Sequence, residues 1–182
     1  MDVPLPGYVM SAMLFGKLPA HGDFVSRGIV PDVRDQWDVN LSTSIAAARG
    51  EAFDAHYGTA PPWRFIRPEV NRWLAGAIAL SMDSAGRRFP IVGGVFIDTP
   101  SSAESIAAQC EVALFSALGE GWTADQLAAA LANIAATETL DIDAGTGLWW
   151  VDGGADVGIA SLTGPLPPTL ISAMLDVMEM AG

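Results

Sequence analysis

The chain has 182 residues, 51% of them hydrophobic and 16% charged, with a formal net charge of −12; that length sets the expectation of one domain with a sizeable core. The acidic balance repels a phosphate backbone, so no nucleic acid partner is expected. Its apolar runs are too short to span a bilayer, so no membrane insertion is expected either.

Residues 1–12, with Pro4, Pro6 and Gly7, read as a flexible leader, and Met10 and Met13 are both possible starts. No basic segment precedes an apolar stretch and a small-residue cleavage site, so no secretory signal is read. Met13-Leu14-Phe15 predicts a strand. It empties into Gly16 to Gly28, GKLPAHGDFVSRG, which holds the single lysine, Lys17, together with His21, Asp23 and Arg27. Pro31 suits the first turn of a helix, and Val33, Trp37, Leu41 and Ile45 recur every four residues, with Ala48 and Ala52 continuing the stripe until Gly58. After Pro61-Pro62, Trp63 to Ile66 predicts a short strand.

Leu74 to Met82 and Phe89 to Asp98 are apolar runs separated by Asp83 to Arg87, a pattern that predicts an antiparallel hairpin. Neither run alternates cleanly, so helices are expected on both faces of this part of the sheet. Ser101-x-x-Glu104 predicts a capping box opening a helix with Ile106, Cys110, Ala113, Leu114 and Ala117 on one face. Cys110, the single cysteine, excludes an internal disulfide framework, fits a reducing cytoplasmic compartment, and reads as core. Thr123-x-x-Gln126 opens a second helix with Leu127, Leu131 and Ile134. Leu148 to Val151 and Val157 to Leu162 predict two strands around Gly153-Gly154, and Pro167-Pro168 introduce a last helix with Ile171, Met174, Leu175 and Met178 on its buried side.

These elements predict one α+β domain over 13–182, a mainly antiparallel sheet with helices on both faces, in outline like longin or roadblock domains. All nine basic residues lie before position 89, which suggests a polarised surface.

Two polar clusters are candidates for chemistry, the Gly16–Gly28 loop and the Asp83–Arg88 turn. A phosphate loop needs a glycine five residues before Gly16-Lys17 and a Ser or Thr after it; Ser11 and Leu18 stand there. Gly16 and Gly22 then read as turn formers, with Lys17, Asp23 and Arg27 in salt bridges. His21 beside Asp23 invites a general base, or a metal site with His56, but two histidines without further ligands carry little weight. Ser26 and Ser81 lie outside a nucleophile elbow, so no triad is assigned. Asp141-x-Asp143 lacks the third ligand and the bidentate glutamate of a calcium loop and reads as an acidic connection. No catalytic residue, metal or cofactor is expected. Arg87 and Arg88 suit carboxylate or phosphate contacts at an exposed tip, and an internal Asp-Arg clamp fits them equally.

The order GKLPAHGDFVSRG, Trp37, Ala60-Pro61-Pro62-Trp63-Arg64-Phe65, Ser81-Met82-Asp83-Ser84-Ala85-Gly86-Arg87-Arg88-Phe89-Pro90 and Leu148-Trp149-Trp150 resembles the TagF family of type VI secretion-associated proteins. Its motifs are similar to GKLPxxGDFxxRG and PSxDxxGRxFPL. The departures are Leu80 in place of proline and Ile91 in place of leucine. The resemblance implies a non-enzymatic, cytoplasmic negative regulator acting after translation, binding and sequestering a forkhead-associated scaffold protein of a threonine phosphorylation pathway. Some members carry a fused phosphatase domain of the PppA type, for which this chain is too short. Lys17, His21, Asp23, Arg27, Asp83, Arg87 and Arg88 are then candidate partner contacts or structural clamps. The alternative is an enzyme or anion-binding protein using the two loops as a pocket.

Overall fold

In the computed structural model, which describes residues 11–152 and 161–180, side chains along the central strands point alternately to two separate apolar cores. The chain runs β1 (Ala12–Gly16), β2 (Val25–Arg27), α1 (Pro31–Ala48), α2 (Glu51–His56), β3 (Trp63–Glu69), β4 (Arg72–Ala79), β5 (Ile91–Ile97), α3 (Ala103–Glu120), α4 (Ala124–Ala132), β6 (Leu148–Val151), β7 (Ser161–Thr163) and α5 (Leu170–Met180). The strands form one sheet in the order β2-β1-β5-β4-β3-β6-β7, and every neighbouring pair is antiparallel. The expected α+β architecture is what the chain adopts.

Period-two alternation sorts the strand residues. Met13, Phe15, Trp63, Phe65, Leu74, Ile78, Val92 and Trp149 face α1, α2 and α5 and pack on Trp37, Leu41, Ile45, Phe53, Ile171 and Met174. Leu14, Ile66, Ala75, Ala77, Ile91, Val95 and Trp150 face α3 and α4 and pack on Ile106, Cys110, Leu114, Leu127 and Leu131. With both faces buried, the central strands need no polar alternation, which is why β4 and β5 read as continuous apolar runs. At the centre, Gly76 of β4 pairs with Gly94 of β5. A Cβ on Gly76 would lie 2.2 Å from the Gly93 carbonyl oxygen, and the Phe65 ring occupies the space beside it. That ring stacks on Trp149 at 4.5 Å and tilts against Trp37 at 5.9 Å.

Three local expectations are corrected. The helix from Pro31 does not continue to Gly58: it breaks at Arg49-Gly50 and restarts as α2, which buries Phe53 rather than Ala52. The Ser101–Glu104 capping box does not form. A short 3-10 turn over Pro100–Ser102 leads into α3 with no side-chain cap: Ser101 lies inside that turn with its hydroxyl 3.0 Å from that of Thr99, and Glu104 pairs with Arg64 on a neighbouring strand. The strand beginning at Trp63 runs on to Glu69 and turns through Val70-Asn71, where Asn71 takes φ 59°, into β4. The strand expected over Val157 to Leu162 is described only from Ser161. Gly153-Gly154 and residues 1–10 of the expected leader lie outside the described residues, as does the side chain of Met178, while Ala12 already belongs to β1. The Thr123–Gln126 box forms with both reciprocal bonds.

Candidate functional site

The two polar clusters meet beyond the end of β1. Gly16 closes that strand at φ 138°, and a Cβ there would lie 2.0 Å from the Pro90 carbonyl oxygen, so glycine is required for the loop to leave the sheet against β5. The Lys17 amide then donates to that same Pro90 carbonyl at 3.2 Å. This fixes the direction in which the lysine side chain departs. Gly22 does not have a positive φ; Gly28, at 65°, is the other left-handed glycine of the stretch.

Asp83 is the hub. Its Oδ1 accepts from the amides of Ala85 at 3.0 Å and Arg87 at 2.9 Å, the Asx-turn geometry that closes the tip between β4 and β5. Its Oδ2 accepts from Lys17 Nζ at 3.0 Å and Arg87 Nε at 2.8 Å. Asp83 is 2% exposed and Lys17 7%. Burial opposes the Asp83 charge, but the Arg87 amide, the Lys17 ammonium, the Ala85 amide and the Arg87 guanidinium outweigh it and hold the carboxyl well below the usual carboxylate range. Arg87 also donates through Nη2 to the Gly22 carbonyl, so one guanidinium binds its own turn and the opposite loop.

Hydrogen bonds support this clamp from beneath. Ser81 Oγ donates to the Lys17 carbonyl at 2.7 Å, and the Ser81 carbonyl accepts from Tyr57 Oη at 2.7 Å and from the Phe89 amide at 3.1 Å. Burial pushes the Tyr57 phenol far up, against the smaller opposing influences of the Ser81 carbonyl and Arg88. The Ser84 amide donates to the His21 carbonyl at 2.8 Å. Above Lys17 Nζ the Phe24 ring lies at 4.9 Å, and Phe24 stacks on Phe15 and meets Phe89 edge-on. Arg88 reaches back to Asp54 of α2 at 2.8 Å across the Phe53 and Tyr57 rings.

The structure therefore brings Lys17, Asp83 and Arg87 into one cluster, with His21 and Arg88 at its margins, and leaves Asp23 and Arg27 apart from it. Asp23 is exposed and accepts from the next amide, that of Phe24, at 2.8 Å. Among the described residues it makes none of the salt bridges expected of it; Arg27 instead meets Asp125 of α4 at 2.9 Å, where both side chains are open to water. The His21 imidazole turns towards α4, and its Nε2 accepts from the Ala124 amide at 2.9 Å, which supplements the Thr123 cap at the start of that helix. Among the described residues no group of three His, Cys, Asp or Glu is placed to hold a metal ion.

Sequence reasoning missed Tyr57 as the support of Ser81, because a tyrosine near a helix end carries no mark of a distant partner. It also missed a second charged node. Arg64 on β3 pairs with Glu104 at 2.9 Å, with Glu111, and with Asp152 at 3.3 Å. Burial works against its charge, but Glu111, then Asp152 and Glu104, outweigh it and raise its pKa. On the other face Arg67 lies 2.9 Å from Glu69 and 4.8 Å from the Trp37 ring, and burial lowers its pKa in spite of Glu69.

The fold resembles the crystal structure of PA0076 from Pseudomonas aeruginosa PAO1, with a TM-score of 0.61 and 23% identity over 93% of this chain and 78% of that one. No curated protein matches the chain significantly. The model of the TagF N-terminal domain, type VI secretion system-associated, matches residues 13–134, a span that contains both loops, the clamp and the α3–α4 layer. By that match over more than half of its length, the chain belongs to the TagF family of type VI secretion system-associated proteins.

Proposed function

We propose that this chain is a non-enzymatic, post-translational negative regulator of type VI secretion, which binds and sequesters a forkhead-associated scaffold protein in the cytoplasm. The observation that carries this reading is the family match over residues 13–134. The clamp geometry is compatible with it: Lys17, Asp83 and Arg87 are engaged with one another, an arrangement that holds two loops in a fixed relation. Rigid loops present a contact surface at little entropic cost on binding. Among the described residues no helix is long and apolar enough to cross a membrane.

Calorimetric titration of the full chain with the cognate forkhead-associated protein tests the reading. Saturable binding at micromolar concentrations or below is expected. Absence of binding by folded protein in that range overturns sequestration.

A further inference from the structure

The two helices on one face of the sheet leave a groove of about 470 Å³ between them, lined by Ala108, Val112 and Ser116 of α3, by Trp122, and by Ala130 and Ile134 at the end of α4. Val112 is 66% exposed, and Phe115, on the same helix, is 72% exposed. The two stand three residues apart on one helix, so they form an adjacent exposed apolar pair beside the groove rather than scattered single side chains. The polar groups beside the groove are satisfied from within: Gln109 donates to the Ser105 and Ala135 carbonyls, and Asn133 to that of Ala129. The floor therefore presents methyl and ring surface.

Charge identifies the complement. The nine basic residues are balanced by nine acidic ones before position 89, and the other twelve acidic residues of the chain follow with no lysine or arginine among them. Seven of those twelve, Glu104, Glu111, Glu120, Asp125, Glu138, Asp141 and Asp143, lie on α3, α4 or the connection that follows them. Arg64 and Arg27 reach into it from the strands, and both are engaged by its own carboxylates, Glu104, Glu111 and Asp125. A second copy of this chain would bring the same excess of negative charge to the contact.

We propose that the α3–α4 groove docks an amphipathic basic helix of a partner protein, with apolar residues seated against Val112 and Trp122 in the groove and against the exposed Phe115 beside it, and flanking lysines or arginines held by the acidic layer. From Ala108 to Ser116 α3 runs about 12 Å, which matches two turns of such a helix presenting anchors at i, i+4 and i+7. The proposal does not depend on the forkhead-associated protein, and its failure leaves the regulatory reading standing.

The test uses three synthetic peptides of about 16 residues, roughly 24 Å when helical: a leucine-lysine amphipathic helix, a scramble of the same composition, and a leucine-glutamate version. Binding to the full chain is followed by fluorescence anisotropy and by amide hydrogen exchange. The expected result is saturable binding of the first peptide only, with exchange protection confined to α3 and α4. Phe115→Ser and Val112→Asp, both at exposed positions, should each weaken it by about tenfold or more, while Val70→Ser should not. Equal binding of the scramble overturns the proposal, since charge alone then suffices. So does unchanged affinity of both α3 variants, or a dimer in sedimentation that Phe115→Ser dissociates.

Discussion

Lys17 Nζ lies 3.0 Å from Asp83 Oδ2, and this contact joins the loop after β1 to the turn before β5 with almost no water at either group. Replacing Asp83 by asparagine puts an amide N–H group against both Lys17 and Arg87 while one oxygen still serves the two backbone amides. A buried ammonium loses its counter-charge, a change that destabilises far more than loss of a surface pair. The urea midpoint of Asp83→Asn should fall well below the wild-type value. Asp23→Ala, on an exposed carboxylate that bonds only locally, should stay within about 0.5 kcal/mol. Similar losses from both would show that Asp83 is no hub. If partner affinity per folded molecule is unchanged in Asp83→Asn, the clamp acts on stability alone.

Because the Asp83 carboxyl is held below its ordinary value in the folded state, the unfolded chain takes up that proton first as pH falls. The stabilisation is present above the unfolded value of about 3.9 and is lost progressively below it, as pH drops towards the folded pKa. Urea midpoints should therefore be insensitive to this group above about pH 5 and fall in more acid solution. Asp83→Asn should show a shallower acid slope than wild type; equal slopes would place the acid sensitivity elsewhere.

Tyr57→Phe removes the phenol that donates to the Ser81 carbonyl but keeps the ring. It should cost about 1 kcal/mol in chemical denaturation. In a Tyr8→Phe background Tyr57 is the only tyrosine left, and its ultraviolet titration should stay silent in alkali until the protein unfolds, since burial pushes this phenol far up. A reversible titration near the ordinary tyrosine value of about 10 in folded protein would contradict the burial.

His21→Ala leaves the Ala124 amide, which belongs to a fully buried residue, without its acceptor. Exchange of that amide should accelerate, and stability should drop by about 1 kcal/mol. Gln126 should keep its protection through the Thr123 cap. Unchanged exchange at Ala124 would mean that the imidazole contributes nothing to the start of α4.

Gly76→Ala places a methyl group 2.2 Å from the Gly93 carbonyl oxygen and 2.8 Å from the Gly94 Cα. These are backbone atoms of the adjacent strand, with little freedom to retreat. Destabilisation of roughly 3 kcal/mol or more is expected from thermal or urea unfolding. A neutral result would require β4 and β5 to separate locally without cost.

Much of this architecture could be read from spacing. The helix from Pro31, the hairpin around Asp83 and the Thr123 box are local patterns, so the residues that specify them are adjacent in sequence. What could not be read depended on partners far along the chain. Ser101 and Glu104 have the right spacing for a cap, yet Arg64 on a neighbouring strand competes for the glutamate. The two polar loops were recognisable as dense in charge, but spacing placed Lys17 with its neighbours Asp23 and Arg27, and only the paths of β1 and β5 bring it to Asp83. Tyr57 and Ala124 had no sequence signal at all, because a phenol and a backbone amide become informative only when an acceptor is placed beside them.

The order of strands in the sheet has a consequence for synthesis. β3, β4 and β5 pair in succession through hairpins, so they can assemble soon after each emerges from the ribosome. β1, made first, has its central partner in β5, and must wait with β2 until that meander exists. The Lys17–Asp83 contact therefore joins segments 66 residues apart, and it can form only in a chain that already contains both the N-terminal strand and the β4–β5 turn.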